Sequence, residues 1–250
     1  MTLAGFDTSL ATTTACVLRE DGVAFRTAPP SVERLLGPAR HSQELLPELE
    51  RLLAEAGVGW DRLDSLAVGV GPGTFTGLRI GIATARALAQ ALRIPVRPVS
   101  SLEALATGMA AGAPLPPGSL ALPLIDARRG QVFAALYRVA EVAPDREAAP
   151  TLETAWEPLV LDPGLLLERV RALSAAPVCA GDWALKSASE LKSAGAEVLS
   201  SDSGLHAVDA LYVCRRGMGV EPVAPEKLHP VYLRLPDAEV QKQIARDDSR

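Results

Sequence analysis

The chain has 250 residues, of which 25 are Lys or Arg and 30 are Asp or Glu, so its formal net charge is −5. This acidic balance and an aromatic content of only 4% exclude a broad basic phosphate-binding surface and a base-stacking platform, so any role in RNA chemistry has to be shared with another subunit. Hydrophobic residues make up 48% of the chain, enough to bury the core of one large domain or two small ones.

The first hundred residues predict a lobe in which strands come before helices. Asp21-Gly22, a dipeptide favoured in tight hairpin turns, joins two of the expected strands. Pro47 follows Ser42, the expected N-cap of the first helix, closely enough to kink that helix. The expected order is strand 3–6, strand 15–18, strand 23–25, loop 27–40, helix 45–56, strand 66–70, helix 76–92, strand 96–99 and helix 101–111.

A similar order of elements follows a loop at 112–119 and predicts a second lobe. Its first strand ends in Asp126, as the first strand of the chain ends in Asp7. We interpret residues 140–158 as an Ala/Pro/Glu-rich excursion without regular structure. The other expected elements are strand 120–125, strand 131–139, helix 164–174, strand 178–180, helix 183–193 and helix 207–216.

Strands that alternate with helices indicate the α/β class, here with two lobes and a cleft between them. We expect an N-terminal lobe at 1–102 and a C-terminal lobe at 103–235, with the last helix, at about 206–217, able to pack back on the N-terminal lobe. The polar tail at 236–250 is expected to be disordered.

The glycine-rich segment from Gly69 to Gly81 combines a strand, a loop and a helix N-terminus, where backbone N–H groups can meet an anion. It lacks both the Gly-Lys-Ser/Thr ending of a P-loop and a Gly-x-Gly-x-x-Gly register, so it is a weak nucleotide motif. Asp7 and Asp126 could face an anion in the cleft. Alternatively, Asp7 forms an Asx-type turn and Asp126 forms an ion pair at a solvated hairpin. The candidate anion or nucleotide residues are Asp7, Thr8, Ser9, Gly71, Gly73 and Asp126.

Small residues recur at four-residue steps along the helix that follows, at Gly77, Gly81, Ala85 and Ala89. Such a face lets another helix or a sheet approach closely. The spacing alone leaves two interpretations open: the face packs on the chain's own sheet or first helix, or it joins a helix bundle with another protein.

Other kinds of site find little support in the sequence. No two of the three histidines share helical spacing, so we expect no metal centre, and there is no Gly-x-Ser-x-Gly elbow. The three cysteines lie far apart among apolar neighbours and are expected in the core. Neither a membrane span nor a signal peptide is visible, so the expected compartment is the cytoplasm, without a membrane partner.

Six stretches, Asp7-Thr8-Ser9, 41–47, 69–81, 100–104, 126–130 and 230–234, together resemble the TsaB family, also called YeaZ. The stretch at 69–81 is long enough to be specific, and the resemblance runs from the first strand to about Arg234. It implies the two-lobed fold of actin, sugar kinases and heat-shock ATPases (ASKHA), in which each lobe is a mixed sheet with flanking helices.

The resemblance also implies a function. TsaB-like proteins are non-catalytic partners of a TsaD-like enzyme that forms N6-threonylcarbamoyladenosine at position 37 of tRNAs reading ANN codons. A TsaE-like ATPase completes the assembly, and tRNA is reached only through the complex. No cofactor is implied, with ATP or ADP bound at most weakly or at the partner interface. TsaD holds a metal with paired histidines, whereas this chain has His41 but Leu45 where the second would stand.

By the same resemblance, the helices at 41–56 and 76–91 contact the partner. Some of their faces also serve, by this resemblance, in a homodimer with a second copy of the chain. This favours the intermolecular interpretation of the small-residue face and implies that replacing Leu45 or Gly81 disrupts the pair without unfolding the chain. The implied interface residues are His41, Ser42, Leu45, Leu46, Leu49, Leu53, Gly77, Arg79, Gly81, Ala85 and Leu88.

Two enzymatic alternatives stay open. The first is an ATPase or small-molecule kinase that uses Asp7, Asp126 and the loop at 71–73 around phosphate and magnesium. The second is a peptidase, for which the sequence offers neither a metal cluster nor a triad.

Overall fold

The computed structural model describes residues 1–141 and 149–234. The tail expected to be disordered, 236–250, lies outside the described residues, as does part of the expected excursion. The strands are β1 (Leu3–Asp7), β2 (Thr14–Leu18), β3 (Ala24–Arg26), β4 (Ser65–Gly69), β5 (Val96–Val99), β6 (Leu120–Arg128), β7 (Gln131–Glu141), β8 (Thr151–Leu161), β9 (Pro177–Ala180) and β10 (Glu197–Val198). The helices are α1 (Val32–Leu36), α2 (His41–Ala56), α3 (Phe75–Leu92), α4 (Ser101–Gly112), α5 (Pro163–Arg171), α6 (Asp182–Lys186), α7 (Ala188–Ser193) and α8 (Ala210–Met218).

The two sheets repeat one topology. The first has the order β3-β2-β1-β4-β5 and the second has the order β10-β9-β6-β7-β8, which is the same order when β6 is set in the place of β1. In each, the central strand pairs antiparallel with the next strand of the chain and parallel with the fourth. Each lobe is therefore a mixed sheet with flanking helices, as the sequence predicted.

The central strands of each sheet are buried on both faces, whereas the edge strands β3 and β8 are largely unburied. In β1, Ala4 and Phe6 pack with α2 and α3, whereas Leu3 points to the opposite face and packs with α8. α8 lies on the first sheet, α4 lies on β6 and β7, and the two helices contact each other between the sheets. The outer face of the second sheet is covered by α5, α6 and α7.

α8 approaches the first sheet closely because small residues stand where they meet. A Cβ atom at Gly5 of β1 would collide with the Sγ atom of Cys214, and one at Gly217 would lie 2.8 Å from the Cβ atom of Ala67. All three cysteines are buried free thiols, which confirms their predicted place in the core.

Four local predictions are wrong. The expected loop at 27–40 contains α1, whose first turn is capped by the Ser31 hydroxyl accepting from the Arg34 N–H. Residues 151–161 form β8, because β7 offers them a partner edge that the sequence pattern does not reveal. The helix expected at 183–193 breaks at Ser187 into α6 and α7. α2 starts at His41 after Arg40, so Ser42 is not its N-cap.

α2 continues through Pro47. Proline removes the hydrogen bond to the carbonyl four residues earlier, which belongs to Gln43. Both residues are exposed, so water can satisfy that carbonyl.

The small-residue face of α3 is internal. A Cβ atom at Gly77 would collide with the Thr8 carbonyl oxygen, and one at Gly81 would collide with the Thr8 Oγ1 atom. Ala85 and Ala89 are buried in the core that α2 and α3 share with the first sheet. The interpretation of this face as an intermolecular surface is therefore wrong: α3 uses it to approach the end of β1.

We expect Gly77→Ala to lower the free energy of unfolding by about 1–3 kcal/mol, because the backbone at Thr8 cannot move away from an added methyl group. Gly164→Ala in α5 is the matched control, since an added Cβ atom there meets only open space. Urea unfolding of both variants tests this. If both variants are equally stable, α3 does not pack against Thr8.

Candidate functional site

The carboxylate of Asp7, at the end of β1, is buried and fully hydrogen-bonded. Its Oδ1 atom accepts from the backbone N–H of Ser9 at 2.8 Å and from the Ser9 hydroxyl at 2.5 Å. Its Oδ2 atom accepts from the hydroxyl of Ser101, the first residue of α4, at 2.6 Å. The Ser9 contacts form an Asx-type turn, and the Ser101 contact ties the strand to α4.

The glycine loop closes directly over this carboxylate. A Cβ atom at Gly69 would collide with the Asp7 Oδ2 atom, so only glycine fits there. The Gly71 N–H donates to the Ser101 hydroxyl at 3.2 Å, and the Ser101 N–H donates to the Gly71 carbonyl at 2.8 Å. The Gly71 and Ser101 N–H groups are thus engaged within the chain.

The next turn of the loop is equally close. The Thr74 N–H donates to the Ser9 carbonyl at 2.8 Å, and a Cβ atom at Gly73 would lie 2.5 Å from that same carbonyl oxygen. The Thr8 hydroxyl donates to the Gly77 carbonyl at 2.8 Å. Five of the six candidate anion residues therefore meet at one junction, but they fill it with their own contacts.

Burial sets the ionisation of the junction. It raises the pKa of Asp7 above the ordinary value of 3.8, against the opposing hydrogen bonds from Ser101 and Ser9 and the nearby His41. Burial likewise lowers the pKa of His41, although Asp7 opposes this effect. The His41 Nδ1 atom lies 2.9 Å from the Thr13 hydroxyl.

The sixth candidate, Asp126, holds the equivalent place at the C-terminal end of β6, with different partners. Its Oδ2 atom lies 2.5 Å from the Lys186 ammonium and 3.3 Å from the Arg128 guanidinium. Its backbone N–H donates to the buried carboxylate of Asp182 at 2.9 Å. Burial raises the pKa of Asp126, but the Lys186 and Arg128 contacts outweigh it and hold the pKa below its ordinary value.

The residues implied as a partner interface divide into two groups. Most are buried in the chain's own core: His41, Leu45, Leu49, Leu53, Gly77, Gly81 and Ala85. Ser42, Leu46 and Arg79 are exposed, and Leu88 is half-buried. Because Leu45 lies in the core and a Cβ atom at Gly81 would collide with the Thr8 Oγ1 atom, we now expect substitutions at both positions to destabilise the chain itself.

The outward faces of α2 and α3 offer other residues that the sequence analysis did not select. On α2, Glu50 continues the exposed strip of Ser42 and Leu46 at four-residue spacing. On α3, Ala83 and Ala87 are exposed beside the buried small-residue face. The two helices contact each other, and both strips face away from their shared core.

A C-terminal segment also contacts α3. Val223 bridges to Val96 at the edge of the first sheet, and the Val231 N–H donates to the Val70 carbonyl at 2.8 Å. Arg86 of α3 donates to the carbonyl of Leu228 at 2.9 Å. The segment thereby brings residues from the end of the described chain to the N-terminal end of α3.

Residues 1–141 and 149–234 contain neither a metal-binding cluster nor a membrane-spanning helix. Within these ranges, no three His, Cys, Asp or Glu side chains come together in a group that could hold a metal ion. None of the helices there is long and apolar enough to cross a membrane.

Comparisons with known proteins agree with this architecture. The protein of Escherichia coli named tRNA threonylcarbamoyladenosine biosynthesis protein TsaB is 32% identical over 203 residues, covering 80% of this chain and 83% of that protein. The chain belongs to the TsaB (YeaZ) family. YeaZ from Pseudomonas aeruginosa superposes with a TM-score of 0.73 at 30% identity, covering 93% of this chain and 99% of that one. The two-lobed ASKHA-like fold is thus confirmed.

Two other matches are partial. The protein with the same TsaB name in Bacillus subtilis is 36% identical over 151 residues, which cover 58% of this chain and 61% of that relative. The family model described as TsaD, tRNA N6-adenosine threonylcarbamoyltransferase, matches residues 37–160. The match spans parts of both lobes, as expected if TsaB-like and TsaD-like chains share this fold.

Removing the Ser101 hydroxyl should lower the free energy of unfolding by about 1–3 kcal/mol, because Ser101→Ala leaves the Asp7 Oδ2 atom and the Gly71 N–H without that partner. Ser193→Ala, which removes an exposed hydroxyl, should change it by less than about 0.5 kcal/mol. Chemical denaturation measures both. Equal effects would mean that the Asp7 contact adds no stability.

The stability contributed by Asp7 should fall as the pH rises. Because folding raises its pKa above 3.8, this contribution is complete below that pH and is lost through the folded pKa. The unfolding free energy of Asp7→Asn, relative to the natural chain, should therefore increase from about pH 4 toward neutrality. A relative stability that moves the opposite way would show that hydrogen bonding outweighs burial.

Proposed function

We propose that this chain is a non-catalytic partner subunit in the formation of N6-threonylcarbamoyladenosine at position 37 of tRNAs reading ANN codons, and that it acts by binding a TsaD-like transferase. The observation that carries the proposal is the division of α2 and α3 into two faces. Their inward faces are filled by the chain's own core, whereas their outward faces leave Leu46, Ala83 and Ala87 exposed.

Family membership supports the pathway. The relatives from Escherichia coli and Bacillus subtilis are named for tRNA threonylcarbamoyladenosine biosynthesis, and the transferase family model matches residues 37–160 of this chain. A role in that biosynthesis follows for this chain.

The chemistry of the junction at β1 supports a binding role over a catalytic one. A cleft ATPase needs a carboxylate and backbone N–H groups that can face phosphate and magnesium. Here the Asp7 carboxylate accepts from Ser9 and Ser101, and the Gly71 N–H is also directed at Ser101. These groups hold the fold together, so we propose no cofactor of the chain's own, with ATP or ADP bound at the partner interface if at all.

The outward faces suit a close helical contact. Alanine side chains allow another helix to approach, and Leu46 supplies apolar area that would be removed from water. A homodimer would use the same strips and would therefore compete with the heterodimer.

The net charge of −5 leaves tRNA binding to the partner, and a TsaE-like ATPase would complete this cytoplasmic assembly.

We expect Leu46→Asp to abolish binding of the TsaD-like protein from the same organism, because it places a charge in an apolar part of the proposed contact. Leu165→Asp is the matched control, since Leu165 lies on α5 of the other lobe and both side chains are 45% exposed. Light scattering on a sizing column, with the chain alone and mixed with its partner, detects the complex.

The proposal fails if the natural chain forms no mixed species in the presence of ATP, the TsaE-like protein and tRNA. It also fails if modification of tRNA in the reconstituted mixture proceeds equally well without this chain. Sustained ATP hydrolysis by the isolated chain would instead support the cleft ATPase.

A further inference from the structure

An aromatic and arginine cluster is exposed at the N-terminal end of α3. It consists of Phe75, Arg79 and Tyr232, with the apolar side chain of Val231 beside Tyr232. Phe75 is 37% exposed, Tyr232 is 38% exposed and Val231 is 45% exposed. Large apolar side chains gathered at one place on a surface mark an interaction site more reliably than scattered ones.

The three side chains hold one another in place. The Arg79 guanidinium carbon lies 3.6 Å from the centre of the Phe75 ring, within the range of a cation–π contact. The Arg79 Nε atom donates to the Tyr232 hydroxyl at 3.3 Å. The Phe75 and Tyr232 rings are tilted by 34° with their centres 5.3 Å apart.

The backbone behind Tyr232 is anchored as well. Leu228 is completely buried, its carbonyl accepts from Arg86, and the Val231 N–H donates to Val70. Since both α3 and the C-terminal segment are fixed, the cluster loses little conformational freedom on binding. Such preorganisation strengthens association.

Arg79 keeps donors for a ligand. Only its Nε atom makes a hydrogen bond within the part of the chain that the structure describes, and it forms no ion pair there. Within residues 1–141 and 149–234, its terminal NH₂ groups make no hydrogen bond, and they lie beside the two rings. A planar guanidinium with free donors suits the two oxygens of a carboxylate.

The cluster continues the surface proposed above. Arg79, Ala83 and Ala87 recur at four-residue spacing along the exposed side of α3, and the two alanines carry no charge that could pair with Arg79. A partner covering this strip would desolvate the guanidinium and so needs an acidic group opposite it. Tyr, Arg and Phe are also residue types enriched at the centres of interfaces.

We propose that Phe75, Arg79 and Tyr232 are the energetic centre of the contact with the transferase partner, and that the partner meets them with a carboxylate set in apolar surface. This inference rests on the proposed function and adds the chemistry of recognition to it. The C-terminal segment thereby becomes part of the binding surface rather than only a brace for α3.

The test compares the affinity of the TsaD-like protein for the natural chain and three full-length variants, measured by titration calorimetry. Arg79→Ala should raise Kd by at least about 10-fold, as for other interface centres. Arg79→Lys should also bind the TsaD-like protein weakly, because lysine keeps the charge but not the planar, forked donors. Leu165→Ala is the control and should bind as the natural chain does.

The salt dependence separates an ionic contact from a purely apolar one. The affinity of the natural chain should fall more steeply with salt than that of Arg79→Ala, because only the natural chain forms the proposed charge pair. All four proteins should share one urea unfolding midpoint, since Arg79 and Leu165 are exposed.

The outcomes distinguish this inference from the proposed function. If the natural chain binds but Arg79→Ala binds within about twofold of it, the cluster is not the centre of the contact, while the partner role stands. If Arg79→Ala raises Kd as expected but the affinities of both proteins fall equally with salt, the partner does not meet Arg79 with a carboxylate. If the natural chain does not bind at all, the proposed function fails and the inference fails with it.

Discussion

The buried carboxylate of Asp7 is the constraint on which the N-terminal lobe depends. A buried carboxyl group must find hydrogen-bond partners, and the chain supplies them from the turn at Ser9 and from the first residue of α4, Ser101. To bring that serine to the end of β1, the glycine loop has to pass directly over the carboxylate, which leaves no room for a side chain at Gly69. The position of α3 follows, because its N-terminal turns rest on Thr8.

The two lobes share one topology, but the carboxylates that follow their central strands have different environments. At the end of β1 the acidic side chain is enclosed by neutral hydroxyl and N–H groups, and burial raises its pKa. At the end of β6 the equivalent Asp126 is held by Lys186 and Arg128, which keep it ionised. The repeated sheet order therefore preserves the location of a carboxylate but not its environment. The N-terminal copy has become a structural junction, which agrees with a partner role better than with phosphate chemistry.

That junction also determines what α2 and α3 can offer to another protein. The glycines of α3 pack against Thr8, so the side of the helix that can contact another protein is the opposite one. The C-terminal segment adds Tyr232 to that side, so the proposed surface combines residues from α2, α3 and the end of the described chain. A rigid scaffold behind such a surface reduces the entropy cost of association.

The sequence by itself determined the class of the fold and most of its elements. The strand at 96–99 and the end of α3 near Leu92 were predicted because apolar periodicity, glycine and proline are local signals. The motif stretches also indicated the family. Only the tertiary structure decided which face of α3 is covered, since the spacing of Gly77, Gly81 and Ala85 is the same for an internal face and an intermolecular one. It likewise decided that Tyr232 meets Arg79 across 153 positions, because such contacts depend on packing that local periodicity does not encode.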